Sequence, residues 1–464
     1  MSFNQSADKR FAKILERSNY TTNDHLVKIK HVPKGNNLIV GRSRSGEGQS
    51  NLVYIGKVAE NTAGANLLGA DIWLDVSFPH VIYITGTRGS GKSFDLGVLV
   101  EGISSLTSES AIQESVQPTA SFVIDTQSQF WTLGYAPKKG IPANDAQLAE
   151  LKAWNIPPNS LADVALFLPP GSDPITGTEQ TFALSPDQVS HEEWCSLIGQ
   201  DVYSPQGHVL GLTLDVLSDN YSIKDMIDFV EADRNWRNVV DATRQAVLYK
   251  LGDIAKTGLF EKGGLKVADL LEPGRCNVFL LRDLRDADKS LITSVIARQL
   301  FTLMGQHHRK LKRDAFFASA GKPPQLPSRV WLIIDEAHVV APSDHYMPAR
   351  QALVEYVKRG RDAGLSLVLA TQQPSAIDDR ILSQVNIAFT HRLAFQSDIN
   401  SAVNRVPTKA PQELRLSGTD LKDFTDMIRV LDSGECFLGD QTTSRAILTR
   451  IRPRVTSHGG YSPV

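Results

Sequence analysis

The chain has 464 residues, 41% of them apolar and 22% charged, with a net charge of −2. These values suit a folded protein of about three domain-sized units; they exclude a disordered chain and a polybasic protein that coats nucleic acid by bulk charge. The three cysteines, Cys195, Cys276 and Cys436, are far apart and argue against a disulfide framework or a C-x-x-C zinc site.

Residues 1–24 are polar, with a short helix expected around Phe11–Ser18 and no basic-then-apolar leader. No apolar run approaches the roughly 20 residues of a membrane span, so a soluble, cytoplasmic protein without membrane contact is expected. Between residues 25 and 79 four short apolar runs, H-L-V-K-I-K-H-V, N-L-I-V-G-R, N-L-V-Y-I-G-K-V and D-I-W-L-D-V, alternate with Gly- and Ser-rich turns. That pattern predicts a small antiparallel sheet or barrel.

From residue 80 to about 455 the pattern changes to apolar strands separated by helical stretches. The strands expected are His80–Thr85, Ser121–Asp125, Asn277–Leu281, Val330–Asp335 and Leu365–Thr371. Their Val, Ile and Leu content, with little polar alternation, predicts parallel strands covered on both faces, hence one large α/β domain. A long insertion lies between Asp125 and Cys276; its part from about 187 to 271 reads as helical. Residues 456–464 are expected to form a C-terminal tail.

The strongest motif is Gly86-Thr87-Arg88-Gly89-Ser90-Gly91-Lys92-Ser93, placed between a predicted strand and a predicted helix that opens with Phe94. In that context G-x-x-x-x-G-K-S is a phosphate loop: backbone N–H groups curl around anionic oxygens, Lys92 reaches the outer phosphates, and the Ser93 hydroxyl can ligate Mg²⁺. The run Val330–Ile334 ends in Asp335 and Glu336, which suit a metal-binding carboxylate and a general base for an attacking water. Together they predict ATP hydrolysis with Mg²⁺. Gln372, at the end of L-V-L-A-T-Q, is expected near the terminal phosphate as a sensor, and Asp125 is a second strand-tip carboxylate on the same edge. Among Arg359, Arg361, Arg380 and Arg392, we select Arg361 and Arg392 as catalytic candidates, acting in cis or from a neighbouring subunit. The tetrapeptide Asp335-Glu336-Ala337-His338 matches a helicase box by letters only; too few residues follow it for a second motor core.

With these residues in hand, G-T-R-G-S-G-K-S, the strand ending in Asp125, I-I-D-E-A-H, R-G-R-D-A-G-L-S-L-V-L-A-T-Q-Q-P-S and S-G-E-C-F-L-G resemble the HerA-type ATPases of the HerA–FtsK group. The resemblance implies a RecA-like P-loop core with a helical insertion, preceded by a small barrel-like module. It also implies a homohexameric ring that hydrolyses ATP at subunit interfaces and moves double-stranded DNA. A nuclease or other effector is the implied partner, in DNA processing or antiphage defence. By motif match, residues Gly86 to Phe94 hold the nucleotide, Ser93 and Asp335 the metal, Glu336 acts as base and Gln372 as sensor, and Arg361 matches the family's G-R-K arginine. Three positions depart from the pattern: Gln129 stands where an acidic residue is usual, and G-R-D and Q-Q-P replace G-R-K and Q-R-P. The competing reading is a ring-shaped scaffold that assembles and gates an effector, with ATP as the switch. The basic run His307–Arg313 reads as a solvated face or a DNA contact. Arg445, Arg450, Arg452 and Arg454 read as an edge strand directed at a neighbouring subunit.

Overall fold

The computed structural model describes residues 20–22, 37–42, 51–62, 68–232, 236, 239–317, 326–411, 414–416, 419–441 and 446–459. The expected Phe11–Ser18 helix, the His25–Val32 strand, Arg445 and most of the proline-rich 318–328 loop lie outside them. Among the described residues no helix is long and apolar enough to cross a membrane.

Among the described residues the chain is an α/β protein built on a 14-stranded mixed sheet, with a second sheet of four short strands. Its parallel part runs, side by side, Gln180–Thr181, Val164–Leu168, Cys276–Leu280, Ala120–Asp125, Val330–Ile334, Leu365–Thr371, Val81–Thr85 and Ile387–Thr390. The five expected strands are all present, each within a residue of its expected bounds. Strand alternation sorts their side chains between two apolar layers, because successive residues point to opposite faces. Ile82, Ile84, Val123, Ile333 and Val368 pack with Leu96, Leu99 and Ile103 of the Lys92–Ile103 helix. Tyr83, Phe122, Leu332, Leu367 and Leu369 pack on the other side with Leu291, Ile292 and Val295 of the Asp286–Phe316 helix and Leu353 and Val354 of the Pro348–Arg359 helix. Every residue of Val330–Ile334 is buried, as a central strand covered on both faces requires.

The insertion is helical where expected, with helices His191–Leu197, Pro205–Leu217, Ile223–Glu231 and Asp241–Lys256. Two of these are started by a capping box, Ser190 with Glu193 and Ser222 with Asp225. The preceding stretch adds the strands Val164–Leu168 and Gln180–Thr181 to the sheet.

A barrel-like module standing before the core is not confirmed. Among the described residues, Leu38–Val40, Leu52–Val58 and Asp71–Asp75 continue the core sheet. The join is made by the C-terminal hairpin Glu435–Asp440 and Ile447–Ile451: its first strand pairs antiparallel with Ile387–Thr390, its second with Leu52–Val58. Ile447–Ile451 is therefore an interior strand and not an edge. Gly56 allows the close approach at this join, since a Cβ there would lie 2.2 Å from the Arg450 carbonyl oxygen.

Candidate active site

Because the central strands are parallel and in register, their carboxyl ends form a single edge. Thr85, Asp125, Ile334, Thr371 and Thr390 all lie along it. The phosphate loop leaves Thr85 and enters the Lys92–Ile103 helix. Its glycines are forced by geometry. Gly89 and Gly91 have φ of 75° and 124°, left-handed values that side chains rarely adopt. A Cβ on Gly86 would lie 2.3 Å from Ser90 Oγ.

Two buried contacts hold the loop from below and from the side. His391 Nδ1 meets the Glu435 carbonyl at 2.8 Å, and its Nε2 meets Asp95 Oδ2, in the first helical turn, at 2.7 Å. The turn before the C-terminal hairpin reaches over: Ser433 Oγ donates to the Gly89 carbonyl at 3.0 Å, and the Gly434 N–H donates to the Ser90 carbonyl at 3.1 Å. With its carbonyls tied back, the loop leaves N–H groups for an anion.

Lys92 is buried and donates to the Thr87 carbonyl at 3.0 Å. Burial lowers its pKa, opposed by the nearby carboxylates of Glu336, Asp335 and Asp95. Ser93 Oγ lies 3.5 Å from Asp335 Oδ2. Asp335 is fully buried, and burial, then the charges of Glu336 and Asp125, raise its pKa to about 8. A carboxyl so placed gains from a cation that replaces its proton, so the Ser93–Asp335 pair suits a hard divalent ion bound through oxygen and water.

Glu336 follows at φ 49°, a left-handed conformation for a non-glycine residue and a form of strain that clusters at functional sites. Gln372 holds both of its oxygens: the side-chain amide donates to Oε1, and the backbone N–H donates to Oε2 at 3.3 Å. His338 Nδ1 lies 3.5 Å from Oε2 and 3.0 Å from Thr371 Oγ1. The arrangement aims a carboxylate with fixed orientation into the cleft, as a base for water requires. Asp125 is set behind this group and is turned inward, accepting from the N–H groups of Phe130 at 2.7 Å and Gln127 at 3.1 Å. Burial raises its pKa to about 6.

These groups open onto a cleft of about 890 Å³, lined by Arg88, Gly89, Gly91, Lys92, Ser93, Phe94, Glu336 and Gln372 on the inner side. Trp154, Ile451, Pro453 and His458, which sequence reasoning did not place here, also line it, as does Arg450, expected to point at a neighbouring subunit. The arginines divide. Arg392 is exposed beside the loop, its carbonyl accepting the Thr87 N–H at 2.9 Å. Arg361 is exposed in the Gly360–Ala363 turn that precedes the Leu365–Thr371 strand, at the amino edge of the sheet, away from this chain's phosphate loop. Arg380 and Arg350 pair with Asp378. Arg452 and Arg454, expected to point at a neighbouring subunit, are buried against Glu101 of the same chain. They follow the interior strand Ile447–Ile451, and the segment after it runs back over the Tyr54 carbonyl and Glu101.

No protein-family model matches the chain. HerA of Pyrococcus furiosus, a DNA double-strand break repair helicase, is 23% identical over 389 residues, covering 79% of this chain and 64% of its own. The protein of the same name from Sulfolobus acidocaldarius is 22% identical over 229 residues, 49% of this chain and 41% of its own. In sequence the chain is similar to these HerA helicases. It spans about two thirds or less of the length of these HerA relatives. Among solved structures, VirB4 of Thermoanaerobacter pseudethanolicus aligns with a TM-score of 0.48 and 12% identity, covering 87% of this chain and 97% of its own.

Proposed function

We propose that this HerA relative is an ATP-hydrolysing motor that assembles as a homohexamer, moves double-stranded DNA and works with a nuclease or other effector. The observation that carries the reading is the meeting, at one sheet edge, of the Lys92 loop, the Ser93–Asp335 pair and a Glu336 held by Gln372. In this scheme the loop N–H groups and Lys92 bind the triphosphate, and Ser93 and Asp335 hold Mg²⁺, which supplies charge neutralisation at the phosphates when bound. Glu336 takes the proton of the attacking water, and Gln372 fixes the orientation of its carboxylate. Arg392 serves the same chain's site. Arg361, at the opposite edge, serves a neighbour's, as the likeness to a ring-forming family suggests. DNA as the substrate comes from the helicases to which the chain is related.

The test is phosphate release from ATP with and without double-stranded DNA. DNA-stimulated hydrolysis lost in Lys92→Ala and Glu336→Gln supports the reading; hydrolysis indifferent to every nucleic acid overturns the DNA motor. Light scattering of the ATP-bound protein tests the hexamer, and copurification with the product of a neighbouring gene tests the effector.

A further inference from the structure

The cleft has two ends of different chemistry. Its inner end is the phosphate loop with Lys92, built for an anion. Its outer end is Trp154, just past the Pro142–Ala153 helix, together with Ile451 and Pro453, which follow one another on the C-terminal strand and its exit. A bare triphosphate would fill only the first.

Trp154 is positioned by packing. Its ring lies 6.4 Å from that of Tyr54 at a 58° tilt, and Leu151, Ile156 and Val455 back it. The helix that carries it is tied to the C-terminal segment: the Gln147 amide donates to the carbonyls of Arg454 at 2.8 Å and Thr456 at 2.6 Å. The indole is thus held rigidly with part of its surface on the cleft and an apolar Pro and Ile beside it. Aromatic surfaces of this kind take nucleobases by stacking, since every base offers a π-face. Arg450 also lines the cleft, with one guanidinium nitrogen donating to the Ser433 carbonyl at 2.5 Å.

We propose that this outer wall is the seat of a nucleobase, with Trp154 as the stacking residue, so that one chain supplies both the phosphate and the base ends of its site. The inference rests on the nucleotide reading above. It assigns the segment after Ile451 to its own chain's cleft, in place of a neighbour's.

Calorimetric titration of the full-length protein with Mg-ATP and, separately, Mg-tripolyphosphate tests it. Trp154→Ala should weaken ATP binding by roughly tenfold or more, the size expected for one lost base–aromatic stack, and leave tripolyphosphate unchanged. Trp154→Phe should restore most of the ATP affinity. If Trp154→Ala weakens both ligands equally, the residue is a structural part of the wall and the base seat is overturned; so it is if both affinities are unchanged. Wild-type protein that binds neither ligand would instead overturn the nucleotide reading itself.

Discussion

His391 Nε2 lies 2.7 Å from Asp95 Oδ2, both side chains buried directly under the phosphate loop. The other ring nitrogen faces a carbonyl that can only accept, so Nδ1 carries a proton and the ring is oriented by two acceptors on opposite sides. Removing one partner strands a buried polar group. Asp95→Ala should cost on the order of 2–4 kcal/mol and lower the melting temperature, with a further loss of phosphate-loop affinity. Thermal unfolding alongside tripolyphosphate titration checks both parts; an unchanged melting temperature would refute the contact's role.

Glu336→Gln keeps the shape of the side chain and removes the proposed base. Turnover should fall about 10²- to 10⁴-fold with nucleotide binding retained, whereas Lys92→Ala should lose binding. Steady-state phosphate release and equilibrium nucleotide titration separate the two. Gln372→Ala should lower turnover while sparing affinity, because it frees the orientation of the Glu336 carboxylate and leaves the phosphate loop intact.

Two buried acids set a pH dependence of stability. The folded-state pKa of Asp125 is raised by burial to about 6, and that of Asp335, by burial and its acidic neighbours, to about 8. Unfolded aspartate titrates near 4, so between that value and the folded one the native state holds a proton that the unfolded state has released. Stability from these groups is full below about pH 4 and is lost as pH rises through about 6 and then about 8. Melting temperatures of nucleotide-free protein from pH 5 to 9 should show a downward contribution over this range, flattened in Asp335→Asn. Added Mg²⁺ should reduce the loss at the alkaline end by replacing the proton.

Glu101 is fully buried, with Arg452 Nη1 at 2.8 Å and the N–H groups of Val455 and Thr456 at 3.1 and 2.9 Å. Ending the chain at Ile451 would leave that carboxylate without its cations, a loss of about 3–5 kcal/mol. The truncated protein should unfold at lower temperature as an isolated chain, at concentrations too low for assembly. A truncation that melts like the full chain would contradict the buried pairing.

The phosphate loop, Asp335, Glu336 and Gln372 were legible in the sequence because each ends an apolar run, and a parallel sheet brings such ends to one edge without further information. What could not be read depends on pairings between distant segments. The period-two alternation of Arg450, Arg452 and Arg454 was read as one edge strand, but the strand ends at Ile451 and is interior, and its partner, Leu52–Val58, lies at the other end of the chain. For the same reason the runs near residues 38–75 looked like a module of their own. Trp154 carried no motif; only the fold brings it to the cleft that Lys92 also lines. Arg361 and Arg392 were indistinguishable as surface arginines, and chain direction in the sheet separates them.

The order in which the sheet is assembled follows from one hydrogen bond, from Arg452 Nε to the Tyr54 carbonyl, which spans 398 positions of sequence. The strand containing Tyr54 emerges from the ribosome early and cannot pair with Ile447–Ile451 until nearly all of the rest has been made. At about 5–20 residues per second, it waits roughly 20 to 80 s. During that interval its open backbone edge and its apolar residues need shielding, so a nascent chain stalled before residue 447 should be a client for chaperones, and the sheet should close as a late, single event.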